Sequence, residues 1–222
     1  MKRIPEPELM DSEAQTLAYA QADFEESNQM FAQNFLDRFP RLTNSGRMAD
    51  LGCGPGDISI RLATALPGWR VTGIDAGENM LLRAREHPAY GPLAERVNFQ
   101  LAYLPDPSLP EGAWDAVISN SLLHHLPDPQ ALWSSIKQIG KTGAAIQVMD
   151  LVRPKSESAA MNLVDRYAEG APDILREDFY NSLLAAYTLD EIEQQLLQAG
   201  LDKLTAETIS DRHWLVSGLL DL

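Results

Sequence analysis

Five short apolar segments, separated in most cases by amphipathic ones, dominate the middle of this 222-residue chain. Their lengths are typical of buried strands, while intervening segments such as 57–66 place isoleucine and leucine on one helical face. The five segments are 47–51, 69–75, 97–101, 114–119 and 144–152. Because strand–helix–strand units return the chain to the same edge of a sheet, their repetition predicts a doubly wound α/β fold with a mostly parallel sheet. Two closing strands, near 204–209 and 213–217, would make the sheet seven-stranded.

The charge and the cysteine content exclude several classes of protein. The formal net charge is -14, with 32 acidic and 18 basic residues, whereas broad nucleic-acid or anionic-membrane surfaces need lysine and arginine. The single cysteine, Cys53, excludes an internal disulfide and favours a reducing compartment. Residues 1–13 lack the apolar core of a signal peptide, and no segment approaches the roughly 18 apolar residues of a membrane span. We therefore expect a soluble, cytoplasmic protein.

A glycine-rich loop, DLGCGPG at 50–56, follows the first predicted strand. Dinucleotide enzymes use G-x-G-x-x-G there and place a pyrophosphate at the helix N-terminus, whereas the spacing here is G-x-G-x-G. Asp50 suits a positively charged ligand better than a pyrophosphate. Asp75, which ends the second strand, could accept hydrogen bonds from both ribose hydroxyls. An adenosine with a cationic amino-acid tail satisfies both aspartates, and S-adenosylmethionine is that molecule.

With these motifs, the sequence resembles the class I S-adenosylmethionine-dependent methyltransferases, especially the small-molecule branch that includes quinone-biosynthesis C-methyltransferases. The resemblance covers about residues 45–152 and is carried by DLGCGPG, VTGIDAGENML at 71–81 and WDAVISNSLLHHLPD at 114–128. It implies methyl transfer to a small organic acceptor by in-line displacement. SNSL at 119–122 stands where enzymes that methylate DNA bases or glutamine carry an (Asp/Asn)-Pro-Pro-(Tyr/Phe) motif, which argues against those substrates.

The resemblance also implies which residues bind the cofactor. Asp50 would orient the loop and assist the amino group, Asp75 would hold the ribose, and Asn120 would border the methionine part. Leu101 stands where the family commonly has an aspartate for the adenine amino group, so the adenine contacts there would come from neighbouring residues. The full implied set is Asp50, Gly52, Cys53, Gly54, Gly56, Asp75, Ala76, Met80, Ala102, Tyr103, Asn120, Ser121 and His125.

The catalytic residues are less clear from the sequence. His124, His125 and Tyr180 are the candidates, and for each histidine a general base and a packing role stay open. Adjacent residues on a helix point about 100° apart, so the two imidazoles are not expected to share one direction. We expect no metal site, because adjacent histidines lack a third-ligand pattern here. Asp150 could face the substrate or pair with Arg153, and Cys53 is not expected to be a nucleophile.

The chain is expected to form one domain, 1–222. Residues 41–154 would form its cofactor-binding core, and 188–222 a closing helix and strands. Two segments outside the strand–helix alternation, 1–40 and 155–187, are expected to be a helical cap and a helical lid over the acceptor. The candidates to line the acceptor pocket from these segments are Met10, Tyr19, Phe24 and Tyr180.

Other functions remain possible on the same motifs. A protein of this fold could use the cofactor for a non-methyl transfer, or could bind it without catalysis. A nicotinamide-dependent oxidoreductase is disfavoured by the glycine spacing and by Asp50.

Overall fold

The computed structural model describes residues 1–6 and 11–222. These residues form eight α-helices and seven strands, and none of the helices is long and apolar enough to cross a bilayer. In chain order the elements are α1 Glu13–Gln21, α2 Glu25–Arg38, β1 Gly46–Leu51, α3 Asp57–Ala65, β2 Trp69–Asp75, α4 Glu78–Glu86, β3 Val97–Leu101, β4 Trp114–Asn120, α5 Gln130–Ile139, β5 Gly140–Leu151, α6 Glu157–Tyr167, α7 Asp173–Ala185, α8 Leu189–Ala199, β6 Thr205–Thr208 and β7 His213–Leu219.

The strands form one sheet in the order β3-β2-β1-β4-β5-β7-β6. The first five are parallel, and β7 is antiparallel to both of its neighbours, β5 and β6. The strand order reverses between β1 and β4, which lie side by side although β2 and β3 come between them in the chain. In such sheets the crevice beyond the carboxyl ends of the strands at this reversal is the usual ligand site. The predicted fold class is confirmed.

Both faces of the sheet are covered by helices. Successive strand residues point to opposite faces, so Val117 packs with α5 and α8 whereas Ile118 packs with α2, α3 and α4. Trp133 and Trp214 are fully buried in the first of these cores, and Phe31 is fully buried in the second. The two cores fix the strand ends on which the polar site is built.

Two long helices predicted from the sequence are each divided in the structure. The segment 11–39 breaks between α1 and α2, where Ala22 is extended and the Asp23 carboxylate accepts a hydrogen bond from the Glu25 amide at 3.0 Å. The segment 155–187 breaks before α7 at Gly170, whose φ is +73°, and Pro172. Short polar and glycine–proline signals therefore outweighed the helical periodicity on either side.

The boundaries of the other helices agree with the sequence signals, with one small difference. The capping box of Thr188 and Glu191 opens α8, and Gly200 ends it in a left-handed conformation. Helix α5 begins one residue after Pro129, and the Asp128 carboxylate accepts a hydrogen bond from the Gln130 amide at 2.9 Å. The Asp128 side chain thus bonds the first helical amide, and Pro129 lies just before the first helical residue.

Residues 1–6, called here the N-terminal strap, are fastened across the end of α7. The Ile4 amide donates to the carbonyl of Leu184 at 3.0 Å, and Arg3 donates to the carbonyls of Ala185 at 2.5 Å and His124 at 2.9 Å. These bonds join the strap to α7 and to the 3₁₀ turn Leu123–His125, which follows β4. The strap therefore reaches the carboxyl edge of the sheet.

Candidate functional site

A cleft opens at the carboxyl ends of β1, β2 and β4. Twelve of the thirteen residues expected at the cofactor site line it, and Gly56 is the exception. Tyr19 and Phe24, two of the residues expected from the helical cap, also line it. Its remaining lining residues are Asn28, Pro55, Asp57, Ile58, Ile74, Leu104, Leu122 and Leu126.

The three positions of the loop are occupied by glycine for different structural reasons. All have positive φ, at +71° for Gly52, +50° for Gly54 and +85° for Gly56. A Cβ at Gly52 would lie 2.8 Å from the Leu122 side chain, and one at Gly56 would lie 2.7 Å from Phe99. A Cβ at Gly54 would have no neighbour within 4 Å. Gly52 and Gly56 are therefore required by packing, and Gly54 alone presents a bare backbone to open space.

Asp75 ties this loop to the start of α4. One carboxylate oxygen accepts a hydrogen bond from the Gly54 amide and the other from the Gly77 amide, both at 2.8 Å. Burial raises the pKa of Asp75, and the two amide hydrogen bonds oppose that rise. Asp75 thus bonds the amide of Gly77 at the start of α4, and the same carboxylate also lines the cleft.

Asp50 lies almost wholly buried at the base of the cleft. The Ser59 hydroxyl donates to its carboxylate at 2.6 Å. Burial raises the pKa of Asp50 to about 7, and the nearby charge of Asp75 acts in the same direction. Near neutral pH the Asp50 carboxyl is therefore present in both protonated and ionised forms, and a cation placed beside it would favour the ionised form.

The raised pKa of Asp50 predicts a pH-dependent penalty on folding. Between the ordinary carboxyl pKa near 4 and about 7, the folded chain binds more protons at Asp50 than the unfolded chain, so stability falls as pH rises. We expect Asp50→Asn to gain about 2 kcal/mol relative to the parent protein between pH 5.5 and 8, from about 1.5 pKa units. Urea unfolding at the two pH values measures the gain.

The exposed Asp202→Asn substitution is the control for removing one carboxylate, and its stability should follow that of the parent at both pH values. An Asp50→Asn variant whose stability changes with pH in parallel with the parent would show that Asp50 does not titrate in this range.

The charge of the cleft lining is negative. Asp50, Asp57 and Asp75 contribute to it, and within the described part of the chain the lining contains no lysine or arginine. A pyrophosphate would meet only repulsion from these side chains, whereas an ammonium or sulfonium group would be attracted. The electrostatics of the cleft therefore favour a cationic ligand.

The turn after β4 supplies strained and unsatisfied polar groups to the cleft. Ser121 has a φ of +54°, which is unusual for a residue with a side chain. The Oδ1 atom of Asn120 is buried and has no hydrogen-bond partner among the residues that the structure describes. An unpaired buried acceptor is costly, so Asn120 is suited to a ligand that donates a hydrogen bond.

The ends of β2 and β3 form the opposite side of the cleft. Ala76, Met80, Ala102 and Tyr103 all line it, in agreement with their expected place around an adenine. Leu101, which occupies the position of the family's usual aspartate, is 44% exposed and is absent from the lining. Any polar contact to a base on this side must therefore come from Ala102 or Tyr103.

His124 and His125 converge on one carboxylate, contrary to the expectation that they point apart. Oε1 of Glu6 lies 3.4 Å from Nε2 of His124 and 3.3 Å from Nδ1 of His125. The two rings lie 4.2 Å apart between centroids, because the 3₁₀ turn brings neighbouring side chains closer than helical spacing suggests. Only His125 lines the cleft, and His124 is buried behind it.

Asp150 adopts neither of the two roles considered from the sequence. Its Oδ1 lies 2.5 Å from Nδ1 of His124, while Arg153 pairs with Glu191 at 2.7 Å. Burial opposes a charge on His124, but the carboxylates of Asp150 and Glu6 outweigh it and raise the pKa of His124. Asp150 therefore acts on the imidazole, and neither expectation was correct.

Of three other residues considered from the sequence, Tyr180 lies outside the cleft lining, Cys53 lines the cleft and Met10 lies outside the described residues. Tyr180 packs against the apolar cluster of α6 and α7 and does not line the cleft. Burial raises the pKa of the Cys53 thiol well above its ordinary value, so it is un-ionised and unsuited to nucleophilic attack. Met10 lies outside the described residues.

Sequence reasoning missed Glu6, Asn28 and Asp57. Asn28 is a buried polar residue within the apolar stripe of α2, and that interruption was the only available signal. Glu6 carried no signal, because its partners are more than a hundred positions away in the chain.

Comparisons with known proteins agree on one class. Residues 48–143 match the model of a family described as "Methyltransferase domain". The 27-O-demethylrifamycin SV methyltransferase of Amycolatopsis mediterranei (strain S699) is 28% identical over 192 residues, which cover 85% of this chain and 65% of that protein. The trans-aconitate 2-methyltransferase of Streptomyces coelicolor is 32% identical over 151 residues, 65% of this chain and 49% of that protein. The chain thus spans less than two thirds of both curated relatives.

Among solved structures, a SAM dependent methyltransferase from Aquifex aeolicus superposes with a TM-score of 0.65 at 15% identity. The match covers 94% of this chain and 98% of that one. At this level of identity the likeness concerns the fold.

Proposed function

We propose that this chain is a class I S-adenosylmethionine-dependent methyltransferase, as its match to the methyltransferase domain model and its curated relatives support. It would transfer a methyl group from S-adenosylmethionine to a small organic acceptor. One observation carries the proposal. The bare backbone of Gly54 faces open space between the buried carboxylates of Asp50 and Asp75 in a cleft lined by acidic groups. That arrangement suits a cationic nucleoside.

The residues present fit this cofactor. The loop at Gly54 leaves room that a Cβ would fill, and the unpaired Oδ1 of Asn120 can accept a hydrogen bond from an amino group. Asp75 has further lone pairs to accept hydrogen bonds from ribose hydroxyls, beyond those that bind the amides of Gly54 and Gly77. Asp50 would sit beneath the amino-acid tail, where it favours positive charge.

S-adenosylmethionine supplies a methyl group on a positively charged sulfur, which is already a strong electrophile. The chain therefore has chiefly to align the acceptor and exclude water. His125 lines the cleft and is the residue proposed to contact the acceptor. His124 reaches that point only through Glu6 and the ring of His125, so we propose it as a positioning residue.

The division of the chain follows from these roles. Residues 41–154 would form the cofactor-binding core, 1–40 and 155–187 the cap and lid, and 188–222 the closing helix and strands of one domain. The hydrogen bonds from Asn79 to Asp11 at 2.8 and 2.9 Å, which hold the start of α1 against α4, support the cap.

The names of the rifamycin and aconitate relatives support a small-molecule acceptor. The finer likeness to quinone-biosynthesis enzymes stays a prediction.

The location and the partners are proposed on chemical grounds. The unpaired Cys53 suits a reducing, cytoplasmic compartment. The net charge of -14 disfavours nucleic acid as the acceptor.

The test has a binding part and a product part. Calorimetric titration should show saturable binding of S-adenosylmethionine and S-adenosylhomocysteine, with NAD as the control that does not bind. Incubation with methyl-labelled cofactor and a panel of hydroxylated and carboxylated compounds should then give labelled acceptor and one equivalent of S-adenosylhomocysteine. Binding of NAD alone would overturn the proposal.

An alternative function rests on the same cleft. The chain could bind S-adenosylmethionine for a non-methyl transfer, or bind it without turnover. Release of another cofactor fragment, or binding with no conversion of any acceptor, would favour this alternative.

A further inference from the structure

Glu6, His124 and His125 bring three potential ligand atoms to one point. Oε1 of Glu6 lies 3.4 Å from Nε2 of His124 and 3.3 Å from Nδ1 of His125, and the three atoms lie within 4.8 Å of one another. In a tetrahedral zinc site with metal–ligand distances of about 2.0–2.1 Å, neighbouring ligand atoms are about 3.3–3.4 Å apart. We propose that these three side chains bind a divalent transition metal, with Zn²⁺ as the best match.

Asp150 completes the site from behind. It holds Nδ1 of His124 at 2.5 Å and accepts hydrogen bonds from the amides of His124 at 3.1 Å and Leu151 at 2.6 Å. With its Nδ1 proton donated to Asp150, His124 presents the lone pair of Nε2 toward Glu6. A carboxylate that fixes the tautomer and the ring of a metal-binding histidine is the usual outer partner of such sites.

The charges around the cluster also call for a dication. Asp150 and Asp178 act on Glu6, and Arg3 is the cation that acts on His124. In the form that binds a metal, with Glu6 ionised and both imidazoles neutral, three carboxylates and one guanidinium would leave a net charge of -2. Oδ2 of Asp178 is buried and has no hydrogen-bond partner among the described residues. Buried negative charge is costly unless it is paired, and one divalent cation would compensate it.

The donor set selects the kind of metal. Two imidazole nitrogens and one carboxylate oxygen suit Zn²⁺, whereas Mg²⁺ and Ca²⁺ prefer oxygen ligands only. Three protein ligands leave one tetrahedral position open, as in catalytic zinc sites. Glu6 and His124 are nearly inaccessible, and His125 lines the cleft, so the open position lies on the cleft side. Resting on the proposed function, this assigns to the acceptor an oxygen group that could occupy that position.

The test is calorimetry with Zn²⁺ on chelator-treated protein that carries no histidine tag. We expect one equivalent to bind, and we expect binding to be lost in Glu6→Gln and in His125→Asn. Asp150→Asn should lower the affinity about 10- to 100-fold, because it removes the outer partner but no ligand. Mg²⁺ should not compete.

Two matched variants control for the loss of a carboxylate or an imidazole elsewhere. Glu13→Gln removes an exposed carboxylate from α1, and His87→Asn removes an imidazole that lies beside Asp57. Both should bind Zn²⁺ as the parent does. No binding by the parent, or binding that survives both Glu6→Gln and His125→Asn, would overturn the inference.

The same metal-free sample titrated with S-adenosylmethionine separates this inference from the proposed function. Cofactor binding without zinc binding overturns only the metal site. Zinc binding without cofactor binding supports the metal site and overturns the proposed function.

Discussion

Replacing Asp75 with alanine is expected to weaken S-adenosylmethionine binding by about a hundredfold or more. The carboxylate is proposed to accept hydrogen bonds from both ribose hydroxyls, and each bond to a charged group contributes about 1.5–3 kcal/mol. The loss of two such bonds is at least about 3 kcal/mol, and each 1.4 kcal/mol is tenfold in affinity. Calorimetric titration with S-adenosylmethionine and S-adenosylhomocysteine measures the change.

Asp75 also holds the amides of Gly54 and Gly77, so the loop itself could be disturbed by the substitution. Asp75→Asn addresses this, because the amide keeps one acceptor oxygen and nearly the same shape. We expect it to fold with a lower thermal unfolding temperature than the parent, because its NH2 group replaces one of the two oxygens that accept backbone amides, and to bind the cofactor more weakly. Asp202→Ala, which removes an exposed carboxylate far from the glycine loop in sequence, is the control for charge. Parent-like affinity in both Asp75 variants would remove the ribose contact from the proposed site.

A methyl group at Gly54 should block the cofactor without unfolding the chain. The Gly54→Ala side chain would meet nothing in the protein within 4 Å, so it would project into the space proposed for the ligand. Overpacking a well-fitted site costs about 1–3 kcal/mol. We therefore expect the affinity for S-adenosylmethionine to fall roughly 10- to 100-fold, measured by the same titration.

The chain offers a close control for the backbone strain. Gly112 has a φ of +52°, against +50° at Gly54, and a Cβ there would also meet nothing within 4 Å. Gly112→Ala should therefore lose about as much stability as Gly54→Ala, on the order of 1 kcal/mol, while its cofactor affinity stays at the parent value. Equal cofactor affinity in the two variants would mean that no ligand approaches the glycine loop.

The sequence predicted the parts of this molecule that depend on local patterns. Strand β2 was expected at 69–75 and lies there, because buried Trp69, Val71 and Gly73 alternate with the more exposed Arg70 and Thr72, as in a strand. The glycine loop could also be predicted, since each of its three glycines adopts a positive φ that favours glycine. Twelve of the residues expected at the cofactor site line the cleft, because the carboxyl ends of parallel strands meet at one edge of the sheet.

What the sequence could not predict depends on long-range packing. Asp150 was expected to face substrate or Arg153, and only the folded sheet reveals that it lies against His124. The convergence of the two histidines on Glu6 required the position of a segment that is 118 residues from His124 in sequence. No metal site was expected because the adjacent histidines lacked a third-ligand pattern, and Glu6 could not be recognised as their neighbour at that distance in sequence. Tyr180 was expected to line the acceptor pocket, but on α7 its side chain packs against the apolar cluster of α6 and α7.

The N-terminal strap has a consequence for the order in which the chain matures during translation. Arg3 donates to the carbonyls of His124 and Ala185, which lie 121 and 182 positions later in the chain. Both bonds are therefore in place only after Ala185 has been synthesised. At about 5–20 residues per second, that interval is roughly 10 to 40 s. Until then Glu6 has no fixed place beside the histidines. The end of the cleft beside His125 is therefore completed by a segment that is synthesised well before α7 but takes its place only after α7 has formed.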